Sequence, residues 1–307
     1  MSAPPGEREI EARVGSVLEA ARQHAASIPL DRLAELLPEG APATPAELAD
    51  WLRRRPGLAE VGADGRVRAA GAPVSPDSEE RRRRAEEFRS AASWLLEQRL
   101  GDAQRFLRCA LVTGSVAYGE PEASDDCDLM LVTRPGTLWS VLLWSFLRLR
   151  GVGRSHNGAP LPTFCLNYVV EEDVARREFS TARGFLFARE ALSAQPVFGQ
   201  PYYASLLGEA RWLRAEVPRM FDRWESAPPP PETVPGPGLA MRLLNAAAFP
   251  WVAAYLQCKG LYACYRLRRA GDGAEEFHTV TQPKRMALQT LKFERLRAAY
   301  AAAPAPS

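Results

Sequence analysis

Over the first seventy positions, apolar residues recur at helical spacing and then switch to alternation. In EIEARVGSVLEAARQHAA (9–26), Ile10, Val14, Val17, Leu18 and Ala21 fall on one stripe, which predicts a helix ending near Ile28-Pro29. Leu30, Leu33, Leu36 and Leu37 repeat the pattern until Pro38-Glu39-Gly40 stops it. Thr44-Pro45-Ala46-Glu47 combines an N-cap hydroxyl, a proline at the first helical position and a glutamate at the third, and so opens a further helix, ELADWLRRR, closed by Pro56-Gly57. LAEVGADGRVRAAG then predicts two short strands about the turn pair Asp64-Gly65.

Ala72-Pro73 to Pro76-Asp77 separates this unit from a longer helix whose buried stripe is Phe88, Ala91, Ala92, Leu95 and Leu96. Arg81 to Arg84 lie near its start, where pairing with Glu79, Glu80, Glu86 and Glu87 on a solvated face accounts for them. Strands are predicted at 106–113 (FLRCALVT), 127–133 (CDLMLVT) and 164–170 (FCLNYVV), with a helix over 139–149 and others near 174–192 and 201–216. APPPPETVPGPG (227–238) predicts a stiff extended connector. The expected fold class is α+β: a winged-helix-like unit over 1–75, a small mixed-sheet core over 76–226, the connector, and a helical C-terminal region over 239–307.

Composition narrows the partners. Lys and Arg number 39 against 37 Asp and Glu, so no overall positive field favours wrapping nucleic acid, and any such contact is local. Three helices followed by a hairpin is the order of a winged helix. Residues 44–68 then become a DNA-contacting face, with Arg53, Arg54 and Arg55 ending its recognition helix and Arg66 and Arg68 on its wing; the plainer alternative is a packing module with solvated arginines. Five cysteines without a CxxC spacing suit reduced thiols, and MSAPPGEREIEARV turns acidic and helical where a secretory signal needs an apolar run, so a cytoplasmic setting is expected. The two most apolar stretches are 138–149, too short to span a bilayer, and 239–265, interrupted by Arg242, Pro250, Gln257 and Lys259. Both are expected as buried helices, with no membrane partner. The tryptophans at 139, 144, 212 and 251 are expected in the core, and His156 and His278 in loops or turns.

The chemistry concentrates in LVTGSVAYGEPEASDDCDLMLV (111–132). Gly114-Ser115 ends one apolar strand, where a glycine admits close approach of a ligand and the following hydroxyl and amides face phosphate oxygens. Asp126 and Asp128 head the next strand, and residues i and i+2 of a strand share a face. Two converging carboxylates resist double ionisation unless a divalent cation offsets their repulsion, so the spacing points to Mg²⁺-assisted phosphoryl chemistry. Arg134, just after that strand, is a candidate for a triphosphate; Ser124 and Asp125 either orient the pair or form its turn.

Gly114, Ser115, Asp126 and Asp128 resemble the hallmark of the polymerase-beta-like nucleotidyltransferase superfamily. The match extends to Pro135-Gly136-Thr137-Leu138-Trp139, Cys165-Leu166-Asn167-Tyr168, Ala188-Arg189-Glu190, Pro196 and Arg211-Trp212, which resemble a bacterial subgroup with an N-terminal winged-helix-like part. The resemblance implies two Mg²⁺ ions held by Asp126 and Asp128, and transfer of a nucleoside monophosphate from a nucleoside triphosphate to an acceptor hydroxyl on a small molecule, protein or RNA, with release of pyrophosphate. Catalytic members carry a third carboxylate on a later strand, where this chain has Asn167. Three readings stand: Asn167 is a ligand and the base comes from elsewhere; Glu171, Glu172 or Asp173 swings in, although first-turn helix charges account for these acids; or the site binds nucleotide without turnover. Arg189 and Glu190 form either a buried ion pair or a nucleotide-contacting arginine with its orienter. A nucleotidyltransferase is the preferred function, and the alternative is a nucleotide-sensing or DNA-binding winged-helix regulator.

Overall fold

A computed structural model describes residues 5–22, 26–72, 78–149, 155–156, 159–225, 236–271 and 277–290. Helix α1 (Pro5–Arg22) is followed by β1 (Ile28–Pro29), α2 (Leu30–Glu35), α3 (Pro45–Arg53), β2 (Ala59–Val61) and β3 (Arg66–Ala69). The three strands form an antiparallel sheet in the order β1-β3-β2. The predicted capping box closes α3: Thr44 Oγ1 accepts from the Glu47 amide at 3.2 Å while Glu47 Oε2 accepts from the Thr44 amide at 3.0 Å. All five members of the predicted α1 stripe are buried.

The central part runs α4 (Ser78–Arg99), α5 (Gly101–Gln104), β4 (Leu107–Thr113), α6 (Gly114–Tyr118), β5 (Cys127–Thr133), α7 (Leu138–Leu149), the two-residue strands β6 (Ser155–His156) and β7 (Ala159–Pro160), and β8 (Phe164–Glu171). Then come α8 (Glu172–Ser180), α9 (Gly184–Ser193), β9 (Gln195–Phe198), α10 (Gln200–Glu209), α11 (Trp212–Glu216) and α12 (Pro218–Glu225). Finally, α13 (Leu239–Ala270) leads to the hairpin β10 (Phe277–Gln282) and β11 (Arg285–Thr290). The large sheet has the order β10-β11-β8-β5-β4-β9, with β5 and β8 parallel and the other pairs antiparallel. A parallel pair needs a crossover, and α7 lies within it.

Both faces of this sheet are covered, which is why LRCALVT and CDLMLVT read as continuous apolar runs rather than alternating ones. Cys109, Leu111, Met130 and Val132 face a core shared with α1–α3 and α8–α12. Ala110, Val112, Leu129 and Leu131 face a second core built with α4, α7 and α13. A buried cross-connection locks α7 to α13: Asn245 Oδ1 accepts from the amides of Trp139 at 2.7 Å and Ser140 at 3.2 Å, so one helix supplies the N-terminal cap of the other.

The chain is thus a mixed α+β protein, as expected, but three expectations fail. The C-terminal region is not wholly helical: FHTVTQ and RMALQT are strands that extend the main sheet, and His278 lies in β10 rather than in a turn. The stretch 239–265 is not a buried helix, because α13 buries one face only and leaves Leu239 73%, Trp251 79% and Leu261 71% exposed. It is also long and apolar enough to cross a membrane. Trp139 is in the core, whereas Trp144 and Trp251 are at the surface. Most of the proline-rich connector, residues 227–235, lies outside the described residues. All five cysteines are free thiols.

Candidate functional site

β4 delivers Gly114 and Ser115, and β5 delivers Asp128, because Thr113 and Asp128 are direct partners in the antiparallel pair. Chain reversal at Gly114 needs a φ of 66°, in the left-handed region that glycine tolerates without strain. The missing side chain matters a second time: a Cβ at Gly114 would lie 2.8 Å from Oδ2 of Asp128. The glycine therefore makes room for the carboxylate, a tighter relation than the ligand access inferred from sequence.

Asn167 enters through an irregularity. In the β5–β8 pair, Leu129 faces Leu166 while Met130 faces Tyr168, so Asn167 is an extra residue in β8. Such a bulge re-aims side chains, and here the consecutive residues Asn167 and Tyr168 both line the same cleft, which a regular strand forbids. The Asn167 amide hydrogen-bonds the Asp128 carboxylate, and Cys165 Sγ lies 2.9 Å from Asn167 Oδ1.

The cleft has a volume of about 1140 Å³ and contains Gly114, Ser115, Asp126, Asp128 and Asn167 together, as expected. The N-terminal unit contributes Ser27, Ile28 and Arg32 to its lining, which also includes Arg189, Glu190 and Tyr203. Burial, and next the charge of Asp126, pushes the Asp128 carboxyl up to about 7, against the hydrogen bond from Asn167. Asp126 is more exposed; burial and Asp125 also push it upward, and a hydrogen bond from Thr163 opposes them. Asp125 serves the turn, its Oδ2 accepting from the Glu122 amide at 3.0 Å.

Sequence reasoning left the roles of Arg189 and Glu190 open. Tyr118 joins them: its hydroxyl donates to Glu190 and its ring lies 4.4 Å beneath the Arg189 guanidinium. Burial raises the Glu190 carboxyl, with Arg189 and Tyr118 opposing, and its charge in turn raises that of Asp128. The sequence carries no signal for Tyr118, because a tyrosine three residues after Ser115 belongs to no motif. Glu178, Arg183 and Arg285 form another cluster in the cleft; Glu178 accepts from the Tyr168 hydroxyl and pairs with Arg183 at 3.5 Å and Arg285 at 3.3 Å.

Arg134 is a correction. It follows β5 at the end opposite Asp128, about 20 Å along the strand at ~3.3 Å per residue, is buried, and is not among the residues lining the cleft. Glu171, Glu172 and Asp173 lie at that same far end, since Thr133 pairs with Glu171. They are engaged by the Gly136 amide (2.7 Å), Arg108 (2.6 Å) and Lys284 (2.6 Å) respectively, so none supplies a third carboxylate.

The basic face expected over 44–68 is largely spoken for. Arg55 pairs with Glu7 and Glu11 and stacks on Trp51, Arg66 pairs with Glu120, Arg68 with Glu60, and Arg53 with Asp50. Arg81 pairs with Glu122, and Arg82, Arg83 and Arg84 pair along α4 as expected.

Among the described residues, no group of three or more His, Cys, Asp and Glu side chains is arranged to hold a metal. A cation in this cleft would take oxygens from Asp126, Asp128 and the Asn167 amide. These donors fit Mg²⁺ in chemical type, with anionic ligand oxygens completing the shell. A bound cation would oppose both causes that raise the Asp128 carboxyl to about 7, its burial and the charge of Asp126. The chain matches no protein-family model, no curated protein and no solved structure.

Proposed function

We propose that the protein is a Mg²⁺-dependent nucleotidyltransferase acting on a nucleoside triphosphate and an acceptor hydroxyl. The observation that carries this reading is the partly buried Asp128, seated against Gly114, hydrogen-bonded by Asn167 and sharing one cleft with Asp126 and Ser115. Asp126, Asp128 and Asn167 hold the cation, and Ser115 with the Gly114 turn faces the phosphates. The bound metal supplies charge neutralisation at the phosphate oxygens. Glu190 takes the acceptor hydroxyl's proton. The acceptor oxygen bonds to the α-phosphorus, the bond from that phosphorus to the bridging oxygen breaks, and pyrophosphate leaves. Positioning contributes most of such a rate, so a base raised by burial suffices.

The order of elements in the N-terminal unit is that of a winged helix. Its arginines mostly pair with acids of its own or, as Arg66 does with Glu120, of the adjoining core, and its β1 region lines the cleft. This favours a structural role for the unit over duplex contact. The absence of a third carboxylate on β8 favours, as the second reading, a domain that binds nucleotide without turnover.

A thermal-shift panel of the four nucleoside triphosphates, with and without Mg²⁺, tests binding; pyrophosphate release over an acceptor screen tests turnover. Stabilisation by triphosphate only with Mg²⁺, lost in Asp126→Ala, is expected. No shift with any triphosphate ends both readings, and a shift without pyrophosphate from any acceptor leaves the sensing reading.

A further inference from the structure

We propose that α13 is a docking face that seats the protein on an anionic lipid surface. Its inner side is fixed in the fold by Asn245 and by Gln257, whose Nε2 donates to Thr279 O at 2.8 Å and Thr281 Oγ1 at 3.0 Å. Its outer side carries Leu243 62%, Trp251 79%, Tyr255 48%, Leu261 71%, Tyr262 63% and Tyr265 55% exposed. At 100° per residue, the large exposed apolar residues from Leu239 to Tyr265 fall within an arc of about 160° over a length of about 39 Å, and the exposed Arg242 and Lys259 lie outside that arc, beyond its edges. An uninterrupted apolar surface of this kind marks an interaction site rather than scattered surface residues.

Charge selects the occupant. From 239 to 270 the helix contains Arg242, Lys259, Arg266, Arg268 and Arg269 and no Asp or Glu. Two copies meeting through this face would bring basic residues together with no acid on the helix to answer them, and the face is broader than the narrow seam of a helix pair. Broad apolar exposure, tryptophan and tyrosine on that side and basic residues without acids are the properties of a helix lying in a lipid headgroup layer. Because its inner face is held by α7 and β10, the helix lies along the surface and does not span it. The sheet then stands between the lipid and the cleft, which opens on the opposite face and stays accessible.

Flotation of the full chain with phosphatidylcholine vesicles, with or without phosphatidylglycerol, tests this. Binding is expected to the anionic vesicles at low ionic strength, weakly if at all to the zwitterionic ones, and to fall as salt is added. Trp251→Glu with Leu261→Glu removes apolar contact at exposed positions, so the melting temperature holds while vesicle partition drops by about tenfold or more. Arg266→Gln with Arg269→Gln lowers partition into anionic vesicles by about tenfold without a new buried charge, and decides the matter should the first variant fold poorly. Failure to float with either vesicle at low salt overturns the proposal. So does a dimer in sedimentation that Trp251→Glu dissolves, since the occupant would then be a second copy. Neither result bears on nucleotide binding, which is read separately by thermal shift.

Discussion

Replacing Asp128 by Asn should stabilise the metal-free protein, and by an amount that depends on pH. Folding lifts the Asp128 carboxyl to about 7, mainly through burial, against about 3.9 for an exposed aspartate. That displacement of about three pH units corresponds to at most ~4 kcal/mol at ~1.4 kcal/mol per unit, and partial solvent access reduces it to about 2–4 kcal/mol. The sign follows from which form burial disfavours. Below about pH 4 the carboxyl is protonated folded or unfolded and the penalty is absent; it grows between about 4 and 7 and is complete above 7. An amide carries no charge at any of these values and keeps a hydrogen bond with Asn167. In EDTA, Asp128→Asn should therefore melt near the wild type at pH 4.5 and at least about 4 °C above it at pH 8. Saturating Mg²⁺ at pH 8 should raise the wild type and leave the variant unchanged. A variant less stable than wild type at pH 8 in EDTA would mean the carboxylate is satisfied by the protein itself, and the inference of a cation-shaped site would fall.

Gly114→Ala should destabilise by about 1–3 kcal/mol, from the left-handed φ and from contact with Asp128, and should abolish the Mg²⁺-dependent thermal shift; an unchanged shift would mean that the glycine does not make room for Asp128. Asn167→Asp should tighten Mg²⁺ binding, measured by calorimetry, and increase pyrophosphate release if the missing carboxylate limits turnover; weaker metal binding would refute Asn167 as a ligand. Asn245→Ala strips the Trp139 and Ser140 amides of their buried partner and should cost about 1–2 kcal/mol in denaturant titration, whereas a neutral result would show the cap to be replaceable by solvent. Arg66→Ala leaves Glu120 partly buried without its partner and should cost about 1–3 kcal/mol, a loss that Arg66→Met with Glu120→Leu should largely recover.

Elements whose cause is local were legible in the sequence. The capping box at Thr44, the Asp64-Gly65 turn, the stripes of α1 and α4, the strand that ends just before Gly114 and the strand carrying Asp128 all follow from periods and end signals within a few residues. What was hidden depends on residues far apart in the chain. RMALQT becomes a strand because Val170 and Arg285 pair across the sheet, and nothing near 285 announces it. The bulge at Asn167 exists only relative to β5. Arg134 looked close to the aspartates because it ends the same strand, but a strand separates its ends by its whole length. The apolar run of α13 could not say which of its sides the fold would cover; that depends on where α7 and β10 lie.

The pairing of Val170 with Arg285 also has a consequence for biosynthesis. At ribosomal speeds of about 5–20 residues per second, β8 waits on the order of ten seconds for its neighbour to emerge. Through that interval Tyr168, Val169 and Val170 present an unpaired edge, and the nascent chain meets chaperones and aggregation partners in that state. Covering this edge during synthesis should therefore raise the yield of native protein, an effect that co-expression with a holdase chaperone would measure.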